Sequence, residues 1–572
     1  MLVTLFIAVF FRMCIMYAYG ELLKNGGFEA EGDWQCFAPH CELVTNKHTG
    51  QHAMKISNRT HFFQGASQFI HVEPSKTYAV SGYIKLLNDQ PEHHSQMVTM
   101  AVEFTYSSGY KSYDTAAAHA PVLKSDGWVH LQGEFGAPRD HVKTTRIYFQ
   151  GPHPSVDFVV DDASVTEMTS VPLPTDPSWR KQTDSVIHSK RMSNIQIHVS
   201  AAPGLNRNDV QIRVVQKKKS FPFGTVVNAP VYNRESQSKY RDFIHNHFNW
   251  AVPEGRLKWP AVEGHQGHDN FGPALKMING LKSHGIKVRG HTLVWSSQFA
   301  IQPWVQALSG DKLRQAVEHH IQLTTNITHG LVEHWDVNNE NLHGTWYQDR
   351  LHDPDYNLEL FRIAHRADPS VKLFLNDNTV VRSGGFTQAY LDMARKVKSA
   401  NVGLYGMGVQ SHFIAGRDPN PHLIKLRLDL LAQAGIPIWV TEMDLMAGDE
   451  NTRADYYERA LRALYGHPAV EGILLWGFWD QRHWRGVNAS LVQGPDLTPN
   501  AAGRRVLDLL ENQWMTDETH ELSQSGDRFT VRGFHGDYEL HVRYQGHERN
   551  DLKQTFSISP SQATHNVNVH IH

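Results

Sequence analysis

The strongest constraint on the fold is a regular alternation of short apolar runs with longer helical patterns across residues 221–515. Alternation of this kind is typical of βα units that build a parallel sheet. Eight units in about 295 residues match the size of a (β/α)8 TIM barrel, which we therefore predict here. The eight candidate strands are Phe223–Val227, Phe248–Val252, Lys287–His291, Val332–Asp336, Lys372–Leu375, Gly408–His412, Pro437–Val440 and Gly472–Trp476.

Acidic, amide and aromatic side chains follow several of these runs, at the barrel end where functional residues collect. Aromatic faces beside hydrogen-bonding groups suit a carbohydrate. Two carboxylates on separate strands also fit glycoside hydrolysis, in which one protonates the leaving oxygen and the other attacks or activates water. The candidates are Glu254, Lys258, His291, Trp295, Gln298, Asn339, Glu340, Gln410, His412, Glu442, Asp444, Trp476 and Trp484.

Five motifs in barrel order resemble the glycoside hydrolase family 10 xylanases, and the resemblance covers nearly all of residues 221–514. They are His291–Trp295, Trp335–Glu340, Asn376–Asp377, Gly408–His412 and Trp439–Asp444. The resemblance implies a retaining endo-β-1,4-xylanase that cuts internal β-1,4-xylosidic bonds of plant-type hemicellulose by double displacement. It implies no required cofactor and no catalytic metal.

The same resemblance implies a role for each side chain. Glu340 would be the general acid/base and Glu442 the nucleophile, with their carboxyl groups roughly 5–5.5 Å apart. Asn339 would bond the sugar 2-hydroxyl, and His412 would orient the nucleophile with Asp444 behind it. Substrate would be bound by Glu254, Lys258, His291, Trp295, Gln298 and Gln410, between walls formed by Trp476 and Trp484.

Two positions depart from the family pattern. Gly255 stands where the family usually has Asn, and Ser296 where it usually has His. Losing a hydrogen-bonding partner at a buried site costs about 1–3 kcal/mol, so we expect altered affinity or specificity. Gly255 would also leave space that could admit the hydroxymethyl group of glucose.

Residues 21–168 contain short alternating runs separated by Gly, Asn, Asp and Pro turns, which predicts a β-sandwich. Asn25–Glu29, Thr49–Ile56 and Phe158–Asp162 resemble the carbohydrate-binding modules that often precede family 10 catalytic domains. Such modules sometimes hold a structural calcium ion, and this one could. The candidate ligand-binding side chains are Trp34, Arg59, Phe63 and Tyr106.

Two segments flank the barrel. Residues 169–220 begin with a proline-rich stretch and continue into strand-like runs, so we interpret them as a linker and lead-in strands packed on the barrel. Residues 516–572 alternate again and predict a small C-terminal β extension, to which no function is assigned.

Residues 1–20 are apolar and end in small residues, which favours a signal peptide and a secreted, extracellular protein. An N-terminal membrane anchor is disfavoured, because Arg12 leaves fewer than about 18 uninterrupted apolar residues. After cleavage we expect no membrane association. Cys36 and Cys41 would remain as one potential disulfide. Three glycosylation sequons, at Asn58, Asn326 and Asn488, agree with a secreted glycoprotein.

A formal net charge of −3 argues against nucleic acid as a partner. The 37 histidines are scattered without metal-ligand spacing, so no metal site is predicted. A polysaccharide is the expected partner, either xylan or a β-1,4-glucan, and we expect a monomer.

Three functions remain open on sequence grounds. The first is the xylanase, and the second is a β-1,4-glucanase or a mixed xylanase and cellulase, which Gly255 and Ser296 favour. The third is a catalytically silent glycan-binding protein. Retention of both Glu340 and Glu442 disfavours it, since an inactive barrel would usually lack one of them.

Overall fold

The computed structural model describes residues 19–37, 40–90, 95–173, 175–415 and 417–572. The predicted signal peptide over residues 1–20 lies outside the described residues except for its last two positions. Within the described ranges, no helix has the length and apolar character needed to cross a bilayer. The described chain forms a β-sandwich, a barrel and a small β unit, in contact with one another.

The sandwich occupies residues 19–167 and has two antiparallel sheets. One has the order β3-β4-β11-β6-β9, with β1 beside β11, and the other has the order β2-β5-β10-β7-β8. Inward side chains alternate with exposed ones, as in β6, so the two inner faces form one apolar core. The strands are β1 (Tyr19–Glu21), β2 (Gln35–Cys36), β3 (His40–Val44), β4 (Ala53–Ser57), β5 (Ala66–Ile70), β6 (Thr77–Leu86), β7 (Gln96–Tyr106), β8 (Lys111–Val122), β9 (Trp128–Gly136), β10 (Val142–Gln150) and β11 (Phe158–Glu167).

A disulfide bond joins Cys36 at the end of β2 to Cys41 in β3, which confirms the expected pairing. It connects strands that belong to different sheets of the sandwich.

A helix and two long strands lead from the sandwich into the barrel: α1 (Ser178–Arg191), β12 (Met192–Ala201) and β13 (Val210–Lys219). The C-terminal residues add β26 (Asp517–Glu521), α14 (Leu522–Ser525), β27 (Arg528–Phe534), β28 (Gly536–Tyr544), β29 (His547–Glu548), β30 (Gln554–Ile558) and β31 (Thr564–Ile571). β12 lies between β27 and β31, while β13 pairs with β26 and β28. The lead-in strands and the C-terminal strands therefore build one β unit with its own apolar core. The sequence-based division treats them as separate segments, because alternation within a strand does not identify its partner.

The barrel is a closed ring of eight parallel strands, as predicted. The ring strands are β14 (Phe223–Val227), β15 (Trp250–Pro253), β16 (Lys287–Gly290), β18 (His334–Asn339), β19 (Lys372–Asp377), β20 (Leu404–Val409), β22 (Ile438–Leu445) and β23 (Val470–Leu475). β23 pairs with β14 and closes the ring. β22 is buried along its whole length, as expected for a strand covered on both faces.

Helices surround this ring: α2 (Ala229–Tyr232), α3 (Ser238–His247), α4 (Trp259–Val262), α5 (Gly272–Ser283), α6 (Pro303–Gln306), α7 (Gly310–Ile327), α8 (Trp346–Leu351), α9 (Tyr356–Ala367), α10 (Thr387–Ser399), α11 (Pro421–Ala432), α12 (Glu450–Tyr465) and α13 (Ala501–Asp508). Four two-residue strands lie at its upper end: β17 (Val294–Trp295), β21 (His412–Phe413), β24 (Val492–Gln493) and β25 (Thr498–Pro499).

The sixth strand differs from the expectation. It was predicted over Gly408–His412, but β20 ends at Val409, and His412 begins the separate strand β21. Ser411 has a φ of 63°, a left-handed conformation that interrupts an extended strand. The interruption places His412 opposite Asp444 of β22.

The sandwich packs against α10 and α11 through ionic contacts. Arg427 of α11 donates from Nε to Glu134 of β9 at 2.8 Å and from Nη1 to the carbonyl of Val381 at 2.8 Å. Both charged side chains are more than nine-tenths buried. Arg417 also pairs with Asp114 of β8.

Because Arg427 is buried, we expect Glu134→Ala to destabilise the contact between sandwich and barrel. Removing one partner of a buried ion pair typically costs about 3–5 kcal/mol, since the other charge is left uncompensated. In denaturant unfolding followed by fluorescence, the first unfolding transition should have its midpoint at a lower denaturant concentration than in the wild type. The matched control is Glu73→Ala, whose side chain is 58% exposed and pairs with His71 at the surface. Equal midpoints for the two variants would refute the importance of this contact.

Candidate active site

Glu442 lies in β22 and is buried, and its carboxylate is surrounded by donors. Asn376 Nδ2 donates to Oε1 at 2.8 Å. His412 Nε2 lies 3.4 Å from Oε2, and His291 Nδ1 lies 4.0 Å from Oε1. These three groups lie at the carboxyl ends of different ring strands, so closure of the barrel is what brings them together.

This environment keeps the Glu442 carboxylate charged. Burial raises its pKa, but the hydrogen bond from His412 and the charges of His291, His412 and Lys258 outweigh burial and lower the pKa to about 2. The ionised form of Glu442 is therefore favoured.

His412 is held in turn by Asp444, whose Oδ1 lies 3.0 Å from His412 Nδ1. Burial lowers the pKa of His412, yet the charge of Asp444, its hydrogen bond and Glu442 raise that pKa to about 9. Asp444 also accepts a hydrogen bond from Trp484 Nε1 at 2.6 Å and lies 3.3 Å from Arg485 Nε. The structure thus places His412 between Glu442 and Asp444.

Glu340 follows β18 in a left-handed conformation, with a φ of 57°. Its carboxyl group accepts hydrogen bonds from Trp295 Nε1 at 3.0 Å and from Gln410 Nε2 at 3.1 Å. Burial raises its pKa, and the negative charges of Asp377 and Glu442 raise it further. Glu340 is thus favoured as a proton donor, while Glu442 is favoured as an anion.

Asn376 joins the surroundings of the two glutamates. Its Nδ2 donates to Asn339 Oδ1 at 2.8 Å as well as to Glu442, and its Oδ1 accepts from Thr441 at 2.6 Å. Gln410 Nε2 lies 3.4 Å from Asn339 Oδ1. No role was assigned to Asn376 from the sequence, although it stands in a motif of the resemblance. An amide side chain at the carboxyl end of a barrel strand could have indicated one.

The remaining predicted side chains form the walls of the site. Lys258 Nζ lies 4.6 Å from the centroid of the Trp295 ring, and burial lowers its pKa. Glu254 accepts from Asn228 Nδ2 at 2.5 Å. The Trp476 ring meets His291 edge to face at 5.2 Å between centroids.

Beyond the Glu340 side runs a groove of about 820 Å³. Gln298 lines this groove and is exposed to solvent. Phe299, which is 80% exposed, packs edge to face on Trp295 at 5.2 Å. Trp484, on the other side of the site, is 57% exposed.

The two positions that depart from the family pattern, Ser296 and Gly255, have different surroundings. Ser296 is buried and donates from Oγ to Asn338 Oδ1 at 2.7 Å. Its hydroxyl group therefore belongs to a polar network beneath the groove. A Cβ atom built on Gly255 would meet nothing within 4 Å, so this position does border open space.

Two residues predicted to bind ligand in the sandwich lie in its interior instead. Trp34 is buried against Phe28, with ring centroids 4.6 Å apart. Arg59 is buried, and its Nη2 donates to the carbonyls of Pro152, His153 and Val156 at 2.6–2.8 Å. Both side chains complete the fold and are not accessible to a glycan; their residue types alone could not reveal this. Phe63 is 37% exposed, and Tyr106 is partly buried.

A row of side chains that no sequence pattern indicates crosses the outer face of the second sheet. In register across β5, β10, β7 and β8 stand Phe69, Arg146, Glu103 and Tyr113. Arg146 Nη2 donates to Glu103 Oε2 at 3.0 Å, while Phe69 and Tyr113 are 49% and 57% exposed. The Phe37 ring, 43% exposed, lies over the Arg146 guanidinium at 4.6 Å. Strand pairing was needed to find this row, because its members are far apart in sequence.

Among the described residues, no group of three or more His, Cys, Asp or Glu side chains could hold a metal ion. In the sandwich, buried Asp161 already accepts from the backbone N–H groups of His48, Thr49 and Asp162 at 2.8–3.1 Å. A structural calcium ion in the sandwich stays a prediction.

Two family profiles match the chain. Residues 212–509 match the profile described as Glycosyl hydrolase family 10. Residues 20–157 match a profile described as a carbohydrate binding domain.

The chain is similar to several curated proteins. It is 32% identical to Endo-1,4-beta-xylanase 2 of Arabidopsis thaliana over 498 residues, which cover 85% of this chain and 44% of that one. It is 36% identical to Anti-sigma-I factor RsgI6 of Acetivibrio thermocellus over 370 residues, which cover 64% of this chain and 47% of that one. The chain thus spans about half the length of these relatives. Among solved structures, native xylanase 10B of Thermotoga maritima aligns with a TM-score of 0.47 and 26% identity, covering 51% of this chain and 95% of that one.

The opposed environments of the two glutamates can be tested directly. Glu442→Gln removes a negative charge near Glu340, so we expect the pKa of Glu340 to fall. Carboxyl-labelled glutamate followed by ¹³C NMR would report it, with Glu340→Gln to assign the resonance. An unchanged pKa of Glu340 in Glu442→Gln would show that the two carboxyl groups do not interact.

Proposed function

Because the chain belongs to glycosyl hydrolase family 10, we propose that it is a retaining endo-β-1,4-xylanase. The observation that carries this proposal is that the two carboxyl groups have pKa values shifted in opposite directions. The pKa of Glu340 is raised, and that of Glu442 is lowered to about 2. A retaining glycosidase needs one protonated and one ionised carboxyl group at the same bond.

In the first step Glu340 donates its proton to the glycosidic oxygen while Glu442 attacks the anomeric carbon. The bond from that carbon to the leaving oxygen breaks, and an ester to Glu442 forms. In the second step Glu340, now ionised, takes a proton from water, and the resulting nucleophile releases the sugar from Glu442.

Asn339 and Lys258 hold the sugar in this scheme. Since Asn339 Oδ1 accepts from Asn376 and lies near Gln410, the side chain offers Nδ2 as a donor to a sugar hydroxyl. Lys258 contributes a partly buried cation near Glu442 and Glu340. Contacts of this kind can strengthen as charge develops in the transition state.

A β-1,4-glucanase or a mixed activity is the second candidate. The observation that favours it is the open space at Gly255, where the hydroxymethyl group of a glucose unit could fit. A hydrophobic or open subsite discriminates weakly against one extra group, so xylan and glucan could both be cut.

A catalytically silent glycan-binding protein is the remaining alternative. One relative is named as an anti-sigma factor rather than as an enzyme, so activity has to be measured. This alternative is disfavoured because both glutamates are present and each is surrounded by hydrogen-bond donors. The pKa of Glu340 is raised and that of Glu442 is lowered, as hydrolysis requires.

We expect the protein to release reducing sugar from soluble xylan, and Glu442→Ala to lose at least about a thousandfold in rate because the nucleophile is gone. Carboxymethylcellulose measured in parallel gives the substrate preference. Glu235→Ala, an exposed position on the barrel, is the control and should keep full activity. If folded wild-type protein releases sugar from neither polymer, the enzyme proposal fails and the glycan-binding protein becomes the better account.

We further propose that the sandwich binds polysaccharide on the row formed by Phe69, Arg146, Glu103 and Tyr113. Strands lie about 4.8 Å apart, so the four side chains span about 14 Å, enough for a short oligosaccharide. Exposed rings at both ends can stack on sugars, and the buried ion pair of Arg146 and Glu103 holds the strands between them in register.

The double variant Phe69→Ala and Tyr113→Ala should weaken binding to insoluble xylan about tenfold or more, because two stacking surfaces are lost. A pull-down on xylan with Glu442→Ala as background avoids hydrolysis. Leu173→Ala, a similarly exposed apolar residue, is the control. Unchanged binding of the double variant would exclude this face.

We also propose that the protein is secreted, after cleavage of the signal peptide, and acts as a monomer. The disulfide between Cys36 and Cys41 fits an oxidising compartment. The three sequon residues, Asn58, Asn326 and Asn488, are all exposed and so accessible to glycosylation.

A further inference from the structure

Each of the two glutamates stands beside an aspartate–histidine pair, and the two pairs have opposite order. Beside Glu442 the histidine comes first, since His412 Nε2 lies 3.4 Å from Glu442 and Asp444 lies behind it. Beside Glu340 the order is reversed. There the aspartate Asp377 acts on the glutamate, and His343 is bonded to that aspartate.

The second pair is built into the turn that carries Glu340. His343 Nδ1 lies 2.7 Å from Asp377 Oδ1, and the other carboxylate oxygen of Asp377 accepts from Leu342 N at 2.8 Å. The backbone of the turn is fixed as well. Glu340 N donates to Asn376 O at 2.8 Å, and His343 N donates to Glu340 O at 3.0 Å. A change at His343 or Asp377 therefore reaches the turn on which Glu340 sits.

The pair also occupies the side of the site that departs from the family pattern. The family usually has a histidine where Ser296 stands, and both Ser296 and His343 line the groove beside Glu340. Ser296 bonds Asn338 and brings no charge. His343 is an imidazole at the same groove, and it is bonded to Asp377.

We propose that His343, acting through Asp377, is the positioning residue that holds Glu340 and sets the pH at which Glu340 exchanges its proton. This proposal rests on the proposed hydrolytic function. His343 acts on Glu340 through Asp377 and the turn, so it is not itself a catalytic residue.

The charged groups around His343 favour the protonated form of its imidazole. Burial lowers its pKa, but the charge of Asp377, its hydrogen bond and Glu340 raise it above the ordinary value, while Arg382 from the loop after β19 opposes them. The Phe386 ring packs on the imidazole at 4.7 Å between centroids. The other charged or titratable groups along the groove are Asp349, Arg350 and His352.

The sign of the effect follows from these charges. Asp377 raises the pKa of Glu340, and the His343 cation lowers it. Removing His343 leaves the charge of Asp377 uncompensated, so Glu340 should keep its proton to higher pH. Removing the charge of Asp377 should do the opposite.

The test compares pH profiles of kcat/KM on soluble xylan for wild type, His343→Gln and Asp377→Asn. We expect the alkaline limb to move to higher pH in His343→Gln and to lower pH in Asp377→Asn. Above the wild-type limb, His343→Gln should keep a several-fold larger fraction of its maximal activity. Because His343 acts on Glu340 through Asp377 and the turn, the change should appear mainly in kcat, which should fall by less than about tenfold.

The matched control is His329→Gln, which removes an imidazole from another aspartate pair. His329 Nδ1 lies 2.9 Å from Asp368, but its side chain is 65% exposed and stands on the outer surface between α7 and β18. Its profile should match the wild type. An unshifted alkaline limb in His343→Gln, or a shift of both site variants in the same direction, would overturn the proposal.

A second measurement separates this proposal from the proposed function. The pKa of Glu340, followed by ¹³C NMR without substrate, should rise in His343→Gln and stay unchanged in His329→Gln. If the protein hydrolyses no xylan but this pKa rises, the hydrolytic function fails and the coupling stands. If hydrolysis is normal and the pKa does not move, only the coupling fails.

Discussion

The ionised carboxylate of Glu442, buried inside the barrel, is the interaction on which the rest of the site depends. An isolated buried charge would cost several kcal/mol, so the surrounding strands must supply compensating groups. They supply Asn376, His412 and His291 from three different strand ends. Because only ring closure brings these strand ends together, the ionised state of Glu442 depends on the barrel fold. The negative charge of Glu442 in turn contributes to the raised pKa of Glu340.

Much of this arrangement could be predicted from the sequence, because strand ends and barrel order are visible in one dimension. The eight strands follow from local runs, whereas the resemblance to family 10 implies the roles of both glutamates, His412 and Asp444. What could not be predicted is whatever depends on contact between distant segments. Asn376 shows this within the barrel, since its bonds to Asn339 and Glu442 arise only when neighbouring strands pair.

The sandwich and the small β unit also contain features that depend on contacts between distant segments. Trp34 and Arg59 had suitable residue types for a glycan, yet sheet packing turns both inward. The face that does present aromatic and charged groups unites four strands, and only the register reveals that Phe69 and Tyr113 share a row with Arg146. Likewise, β12 and β13 find their partners more than 300 residues away, at the far end of the chain. Alternation identifies a strand, whereas pairing is a property of the whole fold.

The contact between sandwich and barrel has a consequence for the catalytic end. The segment that follows His412 contains Arg417 and Asp418, which pair with Asp114 and Arg139 of the sandwich. Phe413, which directly follows His412, accepts a hydrogen bond at its carbonyl from Arg485 Nη1 at 3.0 Å. Arg485 also lies beside Asp444. The residues that follow His412 are thus contacted from both sides, by Arg485 of the barrel and by the N-terminal sandwich. A module joined only by a flexible linker would not provide this second support, so its position on the barrel contributes to the geometry of the site as well as to any binding of polymer.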